Sequence, residues 1–295
     1  MADPRSVPPT FLGLPDETSG YEAARLVVLP LPLEVTTTYG TGTGDGPAAI
    51  LDASRQVETY EPDLDVDLMS ALIHTAPPPP LDGPSHADLT ECIRRAAAQV
   101  AADGKWVLGL GGEHTVTLGL VRAVAEQRGP LSILQIDAHL DLRSEYDGTP
   151  YSHACVMRRC VEDGHRTVHV GIRNACREEV EFARDRDLPV FWARDCAAGQ
   201  EWIDAAVGAL EGSVYLTVDV DGLDPSVVRT TGTPEPGGLG WWQTMRLLDA
   251  LFRHRRVVGA DVVELAPSGD LASDFAAARL AARIAALALY AKGQA

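Results

Sequence analysis

The chain has 295 residues, 45% of them hydrophobic, which is enough apolar material for one large domain. Its formal net charge of −17 argues against nucleic acid as a partner, because phosphate binding needs a basic face. No apolar run approaches the roughly 18 residues of a membrane span, so we expect no membrane association.

The N-terminus and the cysteines favour a cytoplasmic protein. The first twenty residues contain no basic region followed by an apolar run, which a signal peptide would need. The cysteines are dispersed, odd in number and without the paired spacing of a zinc site: Cys92, Cys155, Cys160, Cys176 and Cys196. We expect residues 1–20 to be a flexible segment and residues 21–295 to form one domain.

Short apolar runs alternate with longer segments of helical pattern along the chain. The apolar runs predict strands at 25–33, 105–110, 131–136, 167–172, 188–193, 214–220 and 255–265. The helical patterns predict helices that include 46–60, with Pro47 in its first turn, 86–104, which ends at Gly104, and 275–292. Apolar strands separated by helices predict an α/β fold whose parallel sheet is covered on both faces.

Three ligand-type residues follow the strand predicted at 131–136. In "LSILQIDAHLDLR", Asp137, His139 and Asp141 alternate, so they point the same way if the strand's period of two persists. A single aspartate at a strand end is typical of a helix cap. Three such residues in strict alternation favour a metal site instead.

The pattern recurs after the strand predicted at 214–220. In "VYLTVDVDGLDP", Asp219 and Asp221 alternate, whereas Asp224 is expected to cap a turn. An EF-hand is excluded because its fifth position would be Leu223. Sites in open α/β sheets form beyond the carboxyl ends of the strands, so both aspartate groups should lie along one edge.

Four aspartates gathered in one pocket would repel each other strongly unless cations lay among them, and two divalent ions would balance their charge. Oxygen-rich sites with some imidazole suit manganese better than zinc. Two such ions can activate a shared water for attack on an electrophilic carbon. The sequence therefore predicts a binuclear hydrolytic centre.

Two glycine-rich stretches raise separate questions. In "GGEHTVTLG" (111–119), His114 follows a tight turn at the same predicted edge and is either a turn histidine or a ligand. "YGTGTGDGP" (39–47) contains neither GxGxxG nor GK[ST], so a nucleotide loop is not indicated. A loop beside the substrate and a simple turn both remain open for it.

The ordered motifs "GGEHTVTLG … DAHLD … SHACVMRR … DVDGLDP … TGTPEPGGL … DVVELAP" resemble the ureohydrolase family, which includes arginase, agmatinase and the guanidino-acid hydrolases. The resemblance runs from about Leu29 to the end of the chain, and "DLRSEY" and "YSHACVMRR" look most like agmatinases. It implies a three-layer α/β/α sandwich with a mainly parallel, eight-stranded sheet. It also implies a single catalytic domain over residues 21–295 that assembles into homo-oligomers, commonly trimers or hexamers.

The resemblance further implies two manganese ions per chain and a set of catalytic residues. One ion would be held by His114, Asp137, Asp141 and Asp219, and the other by His139 and Asp221 together with the bridging Asp137 and Asp219. Three side chains would act on the substrate or its protons: Glu264 would bind the guanidinium, Asp141 would relay a proton, and His153 would carry a proton to solvent.

Two departures from the family's common motifs concern residues next to these ligands. Aspartate and serine commonly flank the histidine where this chain has Glu113 and Thr115. The ligand His114 is kept, and we expect Glu113 to support it from behind or to pair locally. In the family, glycine commonly follows the histidine that transfers a proton, whereas Ala154 follows His153 in this chain. This difference bears on whether His153 has the position that its expected role requires.

The residues after DxHxD bear on the substrate, expected to be a small cationic guanidino compound. Leu142 offers no hydrogen bond to an α-carboxylate, which favours agmatine, hydrolysed to putrescine and urea, over arginine. Arg143 can bind the acid end of 4-guanidinobutyrate, or pair with Glu145 or a neighbouring subunit. Agmatinase is therefore the first interpretation and guanidino-acid hydrolase the second. A single-metal deacetylase and an inactive interaction protein are the alternatives from other classes.

Overall fold

The computed structural model describes residues 10–291, and its strands arise largely from the apolar runs. The strands are β1 (Leu26–Leu31), β2 (Tyr60–Glu61), β3 (Val66–Asp67), β4 (Ile73–Thr75), β5 (Trp106–Gly111), β6 (Ser132–Ile136), β7 (Arg166–Ile172), β8 (Val190–Trp192), β9 (Ser213–Asp219) and β10 (Arg256–Val263). The helices are α1 (Asp16–Ser19), α2 (Gly46–Ser54), α3 (His86–Ala102), α4 (Val116–Arg128), α5 (Val156–Glu162), α6 (Arg177–Asp185), α7 (Ala193–Ala197), α8 (Glu201–Gly208), α9 (Trp241–His254) and α10 (Leu271–Tyr290).

The main sheet has eight strands in the order β4-β1-β5-β10-β9-β6-β7-β8, and each neighbouring pair is parallel. This confirms the eight-stranded parallel sheet. The edge strand β4 was not predicted, because three residues are too few to show a period of two. The remaining strands, β2 and β3, form a small antiparallel pair outside this sheet.

Side chains of successive strand residues enter different cores, as the period of two requires. Leu26 and Val28 belong to a core with helices α2, α8, α9 and α10, while Val27 and Leu29 belong to a second core with α3 to α6. The two cores lie on opposite faces of the sheet, so the α/β/α sandwich is confirmed.

Part of the segment 1–20, which is expected from the sequence to be flexible, packs against the rest of the chain. Phe11, Leu12 and Leu14 are buried in the core that contains α10, and the backbone N–H of Phe11 donates to Thr75 Oγ1 at 2.9 Å. Their packing against the edge of the sheet left no periodic pattern in the sequence. Residues 1–9 of that segment lie outside the described residues.

Helix α10, predicted at 275–292, packs inside the protein, and one of its arginines is buried with it. Arg283 is buried and donates to Glu61 at 2.9 Å and to Asp249 at 2.6 Å. Within residues 10–291, no helix combines the length and the hydropathy needed to cross a membrane.

Candidate metal centre and substrate pocket

Four adjacent strands in the middle of the sheet bring the expected site residues to one edge. Strands β5, β10, β9 and β6 are neighbours in that order. His114 follows β5, Glu264 follows β10, Asp219 ends β9, and Asp137 follows β6. Because parallel strands end at the same edge, residues distant in sequence meet there.

The turn before His114 requires glycine. A Cβ at Gly112 would lie 2.1 Å from the carbonyl oxygen of Leu33, so a larger residue would push the two segments apart. This close approach sets His114 just before α4, where its backbone N–H donates to Glu264 Oε1 at 2.6 Å.

The imidazole of His114 lies among three carboxylates. Its Nδ1 is 2.9 Å from Asp141 Oδ2, 3.2 Å from Asp137 Oδ2 and 3.5 Å from Asp219 Oδ2. This nitrogen is buried and makes no hydrogen bond of acceptable geometry to any atom of residues 10–291. A buried polar atom without such a partner, facing carboxylate oxygens, fits a metal ligand.

A second cluster adjoins the first through Asp137. His139 Nδ1 is 3.1 Å from Asp221 Oδ2 and 3.6 Å from Asp137 Oδ1. Ligand atoms of His114, Asp137 and Asp219 form one group within 4.8 Å, and those of Asp137, His139 and Asp221 form another. Carboxylate oxygens with one imidazole in each group fit hard or borderline divalent ions.

The three DxHxD residues converge for a different reason from the one expected. Strand β6 ends at Ile136, and Asp141 has a φ of +52°, so regular strand alternation does not continue through the motif. Asp141 instead reaches His114 because the chain turns in the left-handed region, which costs a non-glycine residue about 1–3 kcal/mol.

The electrostatics of these clusters also indicate a need for cations. Burial and the charge of Asp137 raise the pKa of Asp141 to about 7, and burial followed by the charge of Asp221 raises that of Asp219 well above its usual value. Burial lowers the pKa of His139, but hydrogen bonds to Asp137 and Asp221 outweigh it and bring the value to about 12. Without metal, the clusters therefore retain protons that divalent ions would replace.

A chain of buried hydrogen bonds lies behind His114. Its Nε2 is 2.9 Å from Thr217 Oγ1, and Thr217 donates to Asp261 Oδ1 at 2.6 Å. Tyr215 donates its hydroxyl to the other oxygen of Asp261 at 2.8 Å. Because the single hydroxyl hydrogen of Thr217 is given to Asp261, the hydrogen between Thr217 and His114 lies on Nε2, which leaves the Nδ1 lone pair facing the carboxylates.

A second chain of hydrogen bonds supports Asp137. Gln135 Nε2 donates to Asp137 Oδ2 at 2.6 Å, and Gln135 Oε1 contacts His169 Nδ1. The other ring nitrogen of His169 is 2.8 Å from Thr167 Oγ1. Burial lowers the pKa of His169 to about 4, so the ring is neutral and donates from Nδ1 to Gln135.

The pocket above the clusters contains the other two expected residues. His153 and Glu264 both line it. Glu264 is buried and has a φ of +67°, and burial raises the pKa of its carboxyl well above the ordinary value. The Oε2 atom of Glu264 has no hydrogen-bond partner among residues 10–291, whereas Oε1 accepts from His114.

The expectations for the residues after DxHxD need correction. Leu142 is fully buried in a hydrophobic core and does not line the pocket, so it cannot select the substrate directly. Arg143 does line the pocket, and its guanidinium lies 4.8 Å from the ring centre of Tyr146. The expected pairing with Glu145 is wrong, since the structure gives no ion pair to Arg143 in the described part of the chain.

Two loops flank the pocket. Residues 37–40 line it, so the glycine-rich stretch begins as a pocket wall, and Glu34 accepts hydrogen bonds from the N–H groups of Gly42 and Gly44. Asp224 accepts from the N–H groups of Ser226 and of residues 237 and 238, which confirms its expected role in a turn.

Sequence reasoning missed the supporting residues Thr36, Gln135, Thr217 and Asp261, and it expected Glu113 to support His114 or to pair locally. The signal available for three of them was a polar side chain inside an otherwise apolar strand, as in "SILQI", "YLTVD" and "GADVV". Such groups are buried at a cost unless they are hydrogen-bonded, so each one marks a partner to be found.

The sheet and the site together define an α/β protein with paired carboxylate–imidazole clusters at the carboxyl ends of parallel strands. The sequence pattern of the arginase family matches residues 24–290, and the chain belongs to that family.

Comparisons with individual relatives and solved structures agree with this family assignment. The chain is 42% identical over 292 residues to the N(1)-aminopropylagmatine ureohydrolase of Synechocystis sp., covering 95% of this chain and 94% of the relative. Its fold matches the agmatine ureohydrolase of Thermoplasma volcanium with a TM-score of 0.82 and 30% identity, over 96% and 94% of the two chains. It also matches the proclavaminate amidino hydrolase of Streptomyces clavuligerus with a TM-score of 0.86 and 26% identity, over 98% and 100%. The chain is thus a ureohydrolase-type enzyme of the arginase family, as the motifs predicted.

Proposed function

We propose that this enzyme uses two divalent ions, preferably manganese, to release urea from a cationic guanidino amine. The observation that carries the proposal is the location of Glu264. Two groups of side chains form the metal-type clusters: His114, Asp137 and Asp219 in one, and Asp137, His139 and Asp221 in the other. The buried carboxylate of Glu264 lines the pocket that also contains residues of both clusters, and the clusters share Asp137. A guanidinium bound by Glu264 would lie beside the ions.

Six side chains would hold the ions, each through one or more carboxylate oxygens or a ring nitrogen: His114, Asp137, Asp141 and Asp219 for one ion, and His139 and Asp221 with the bridging Asp137 and Asp219 for the other. The sharing of Asp137 by both clusters supports this assignment. Bound divalent ions supply Lewis-acid activation of a water nucleophile.

The protein's own groups would orient the substrate and move protons. A guanidinium carbon is a poor electrophile because its charge is delocalised, so accurate positioning matters. Glu264 would hold the planar cation by charge-assisted hydrogen bonds, with Oε2 available to it. Asp141 would take the proton released when water attacks and pass it to the departing amine, so that guanidine and water yield urea and an amine, and His153 would carry a proton between the pocket and solvent.

Within the cationic guanidines, we place N(1)-aminopropylagmatine ahead of agmatine. The Synechocystis relative and one from Thermus thermophilus, 39% identical over 265 residues, are both N(1)-aminopropylagmatine ureohydrolases. The ions would neutralise Asp141, Asp219 and Asp221, and Glu264 would hold the guanidinium. Glu179 is then the remaining carboxylate among the described residues that line the pocket, and its charge favours a substrate with an additional ammonium group. Agmatine, the substrate expected from the motifs, would bind in the same pocket with a shorter amine chain.

A guanidino acid is the second candidate because of Arg143. This guanidinium lines the pocket and has no ion-pair partner in the described part of the chain, so it is available to a carboxylate. The Streptomyces clavuligerus neighbour is named for proclavaminate, which is a carboxylate.

Urea release after dialysis against manganese would test the proposal. The substrates are N(1)-aminopropylagmatine, agmatine, arginine and 4-guanidinobutyrate, each with the parent enzyme and with Arg143→Ala. We expect the two cationic amines to have the highest kcat/KM in both proteins. Faster turnover of 4-guanidinobutyrate, lost in Arg143→Ala, would establish the second candidate. No urea from any substrate, with both ions bound, would refute the proposed reaction.

On the family resemblance we also propose a cytoplasmic homo-oligomer, either a trimer or a hexamer. Sedimentation velocity at several protein concentrations would test the assembly. A monomer throughout would contradict it.

A further inference from the structure

Glu113 is fully buried one residue before His114, yet its carboxylate contacts a different segment of the chain. Oε2 accepts the backbone N–H groups of Val35 at 2.7 Å and Thr36 at 2.6 Å. Oε1 accepts the hydroxyl hydrogen of Thr36 at 3.0 Å. Three donors therefore satisfy the carboxylate without a cation, and they tie the turn before α4 to the loop after β1.

The hydroxyl of Thr36 has one hydrogen, and the carboxylate takes it. A hydrogen bond to a charged acceptor is stronger than one to a neutral ring nitrogen. The oxygen of Thr36 is then an acceptor for its other two contacts, the backbone N–H of His153 at 3.0 Å and Nδ1 of the same residue at 3.0 Å. For the second contact to be attractive, Nδ1 of His153 must carry the ring hydrogen.

Ser152 is the other possible partner of that nitrogen. Its hydroxyl oxygen lies 3.4 Å from Nδ1 of His153, farther than the oxygen of Thr36. If Ser152 donated to Nδ1, the lone pairs of Nδ1 and Thr36 would face each other at 3.0 Å. The Thr36 contact therefore sets the tautomer.

The other ring nitrogen of His153, Nε2, is available to interact with groups in the pocket. His153 lines the pocket, and its Nε2 has no hydrogen-bond partner among residues 10–291. With the hydrogen on Nδ1, Nε2 carries a lone pair that can accept a proton and later release it.

We propose that Glu113 and Thr36 are positioning residues that hold His153 in the Nδ1–H tautomer, with the Nε2 lone pair directed into the pocket. This inference rests on the proposed function, in which His153 transfers a proton. The arrangement serves both protonation states, because the Nδ1–H group donates to Thr36 whether or not Nε2 is protonated. It also gives a role to the glutamate that stands where aspartate is common.

A pair of substitutions at Thr36 tests the kinetic consequence. Thr36→Val keeps the shape but removes the hydroxyl, whereas Thr36→Ser keeps the hydroxyl and is the matched control. We expect Thr36→Val to lower kcat about tenfold or more, with KM and the metal content close to those of the parent. Thr36→Ser should retain most of the activity. Equal losses in the two variants would mean that the hydroxyl is not responsible.

A double-variant cycle then asks whether Thr36 acts through His153. In a His153→Asn background, Thr36→Val should cause no further loss of kcat, because the group that it positions is gone. A further loss as large as that in the parent would overturn the proposal.

Nitrogen-15 NMR of the histidine rings tests the tautomer directly, with a diamagnetic divalent ion bound and the His153 signal identified by its loss in His153→Asn. We expect the Nδ1–H form in the parent and in Thr36→Ser. Glu113→Gln should shift the population towards Nε2–H, because the glutamine amide can donate to Thr36 and release the hydroxyl hydrogen towards Nδ1. An Nε2–H parent would overturn the proposal even if the enzyme is active. The expected tautomer in a protein that releases no urea would instead overturn the proposed function alone.

Discussion

The backbone N–H of His114 donates a 2.6 Å hydrogen bond to Oε1 of Glu264, which couples the metal-type clusters to the carboxylate beside them. The return contact is the backbone N–H of Glu264, which donates to the carbonyl of Gly112 at 2.8 Å. These two bonds stabilise Glu264 in its left-handed conformation, with φ at +67°. Under the proposed function, these backbone contacts would set the position of the guanidinium relative to the ions, so a change at Glu264 should weaken substrate binding more than metal binding.

Replacement of Glu264 by Gln is expected to keep both ions and weaken the guanidinium interaction. The change removes one charge but preserves the shape and an acceptor for His114. A charge-assisted hydrogen bond contributes about 1.5–3 kcal/mol, so kcat/KM should fall roughly ten- to a hundred-fold or somewhat more. Kinetics with agmatine, combined with metal analysis, would measure this. A parental kcat/KM would show that Glu264 is structural and that the substrate is bound elsewhere.

Metal content should distinguish the shared aspartate from an unshared one. Asp137 belongs to both clusters, whereas Asp221 belongs to one. We expect Asp137→Ala to lose both ions on dialysis and Asp221→Ala to lose one, since loss of a ligand typically costs orders of magnitude in affinity. Asp224→Ala is the control, because that carboxylate belongs to a turn and should leave two ions per chain. Retention of both ions by Asp137→Ala would exclude a shared ligand.

Asp261 offers a test of the hydrogen-bond chain behind His114. Burial raises the pKa of this carboxyl, so its charge is costly to the metal-free protein. In Asp261→Asn the amide can donate to Thr217, which then donates to Nε2 of His114 and places the ring hydrogen on the metal-facing nitrogen. We expect metal affinity to fall about ten- to a hundred-fold, while the metal-free protein is no less stable.

The matched control for Asp261→Asn is Tyr215→Phe, which leaves the carboxylate and its bond to Thr217 in place. It should change metal affinity less than Asp261→Asn does. Titration calorimetry and thermal melting with and without manganese would measure both effects. A loss of stability in the metal-free Asp261→Asn protein, with unchanged metal affinity, would mean that Asp261 is only structural.

The arrangement of the site could be predicted because it depends on strand order and motif position. His114, Asp137 and Asp219 each follow or end an apolar strand, and the carboxyl ends of parallel strands meet at one edge whatever their separation in sequence. That reasoning needs no knowledge of side-chain direction. It brought residues 114, 137 and 219 to the same place as the structure does.

The sequence predicted wrongly the directions in which side chains point beyond the ends of the strands. Leu142 was expected to face the substrate, but the left-handed turn at Asp141 directs it into a core. Glu113 was expected beside His114, but its partners lie 77 and 78 residues away at 36 and 35. A period of two holds only while the strand continues, and the contacts of a loop depend on which other segment packs against it.

The buried His169 predicts a component of stability that depends on pH. Burial lowers its folded pKa to about 4 from 6.5, so the folded protein resists a proton that the unfolded chain accepts. This contribution is complete above pH 6.5 and is lost as the pH falls towards 4. With about 1.36 kcal/mol for each pKa unit, the loss by pH 4 is about 3 kcal/mol.

His169→Asn removes this titration while keeping a donor that can reach Gln135. The variant should be less stable at pH 7, because Thr167 loses its partner. Its disadvantage relative to the parent should shrink by about 3 kcal/mol between pH 7 and pH 4. Denaturant unfolding of both metal-free proteins at several pH values would measure the difference, in which the titrations common to both proteins cancel. A difference that stays constant with pH would show that His169 takes up its proton in the folded state as readily as in the unfolded chain, and would contradict the neutral ring that supports Gln135 and Asp137.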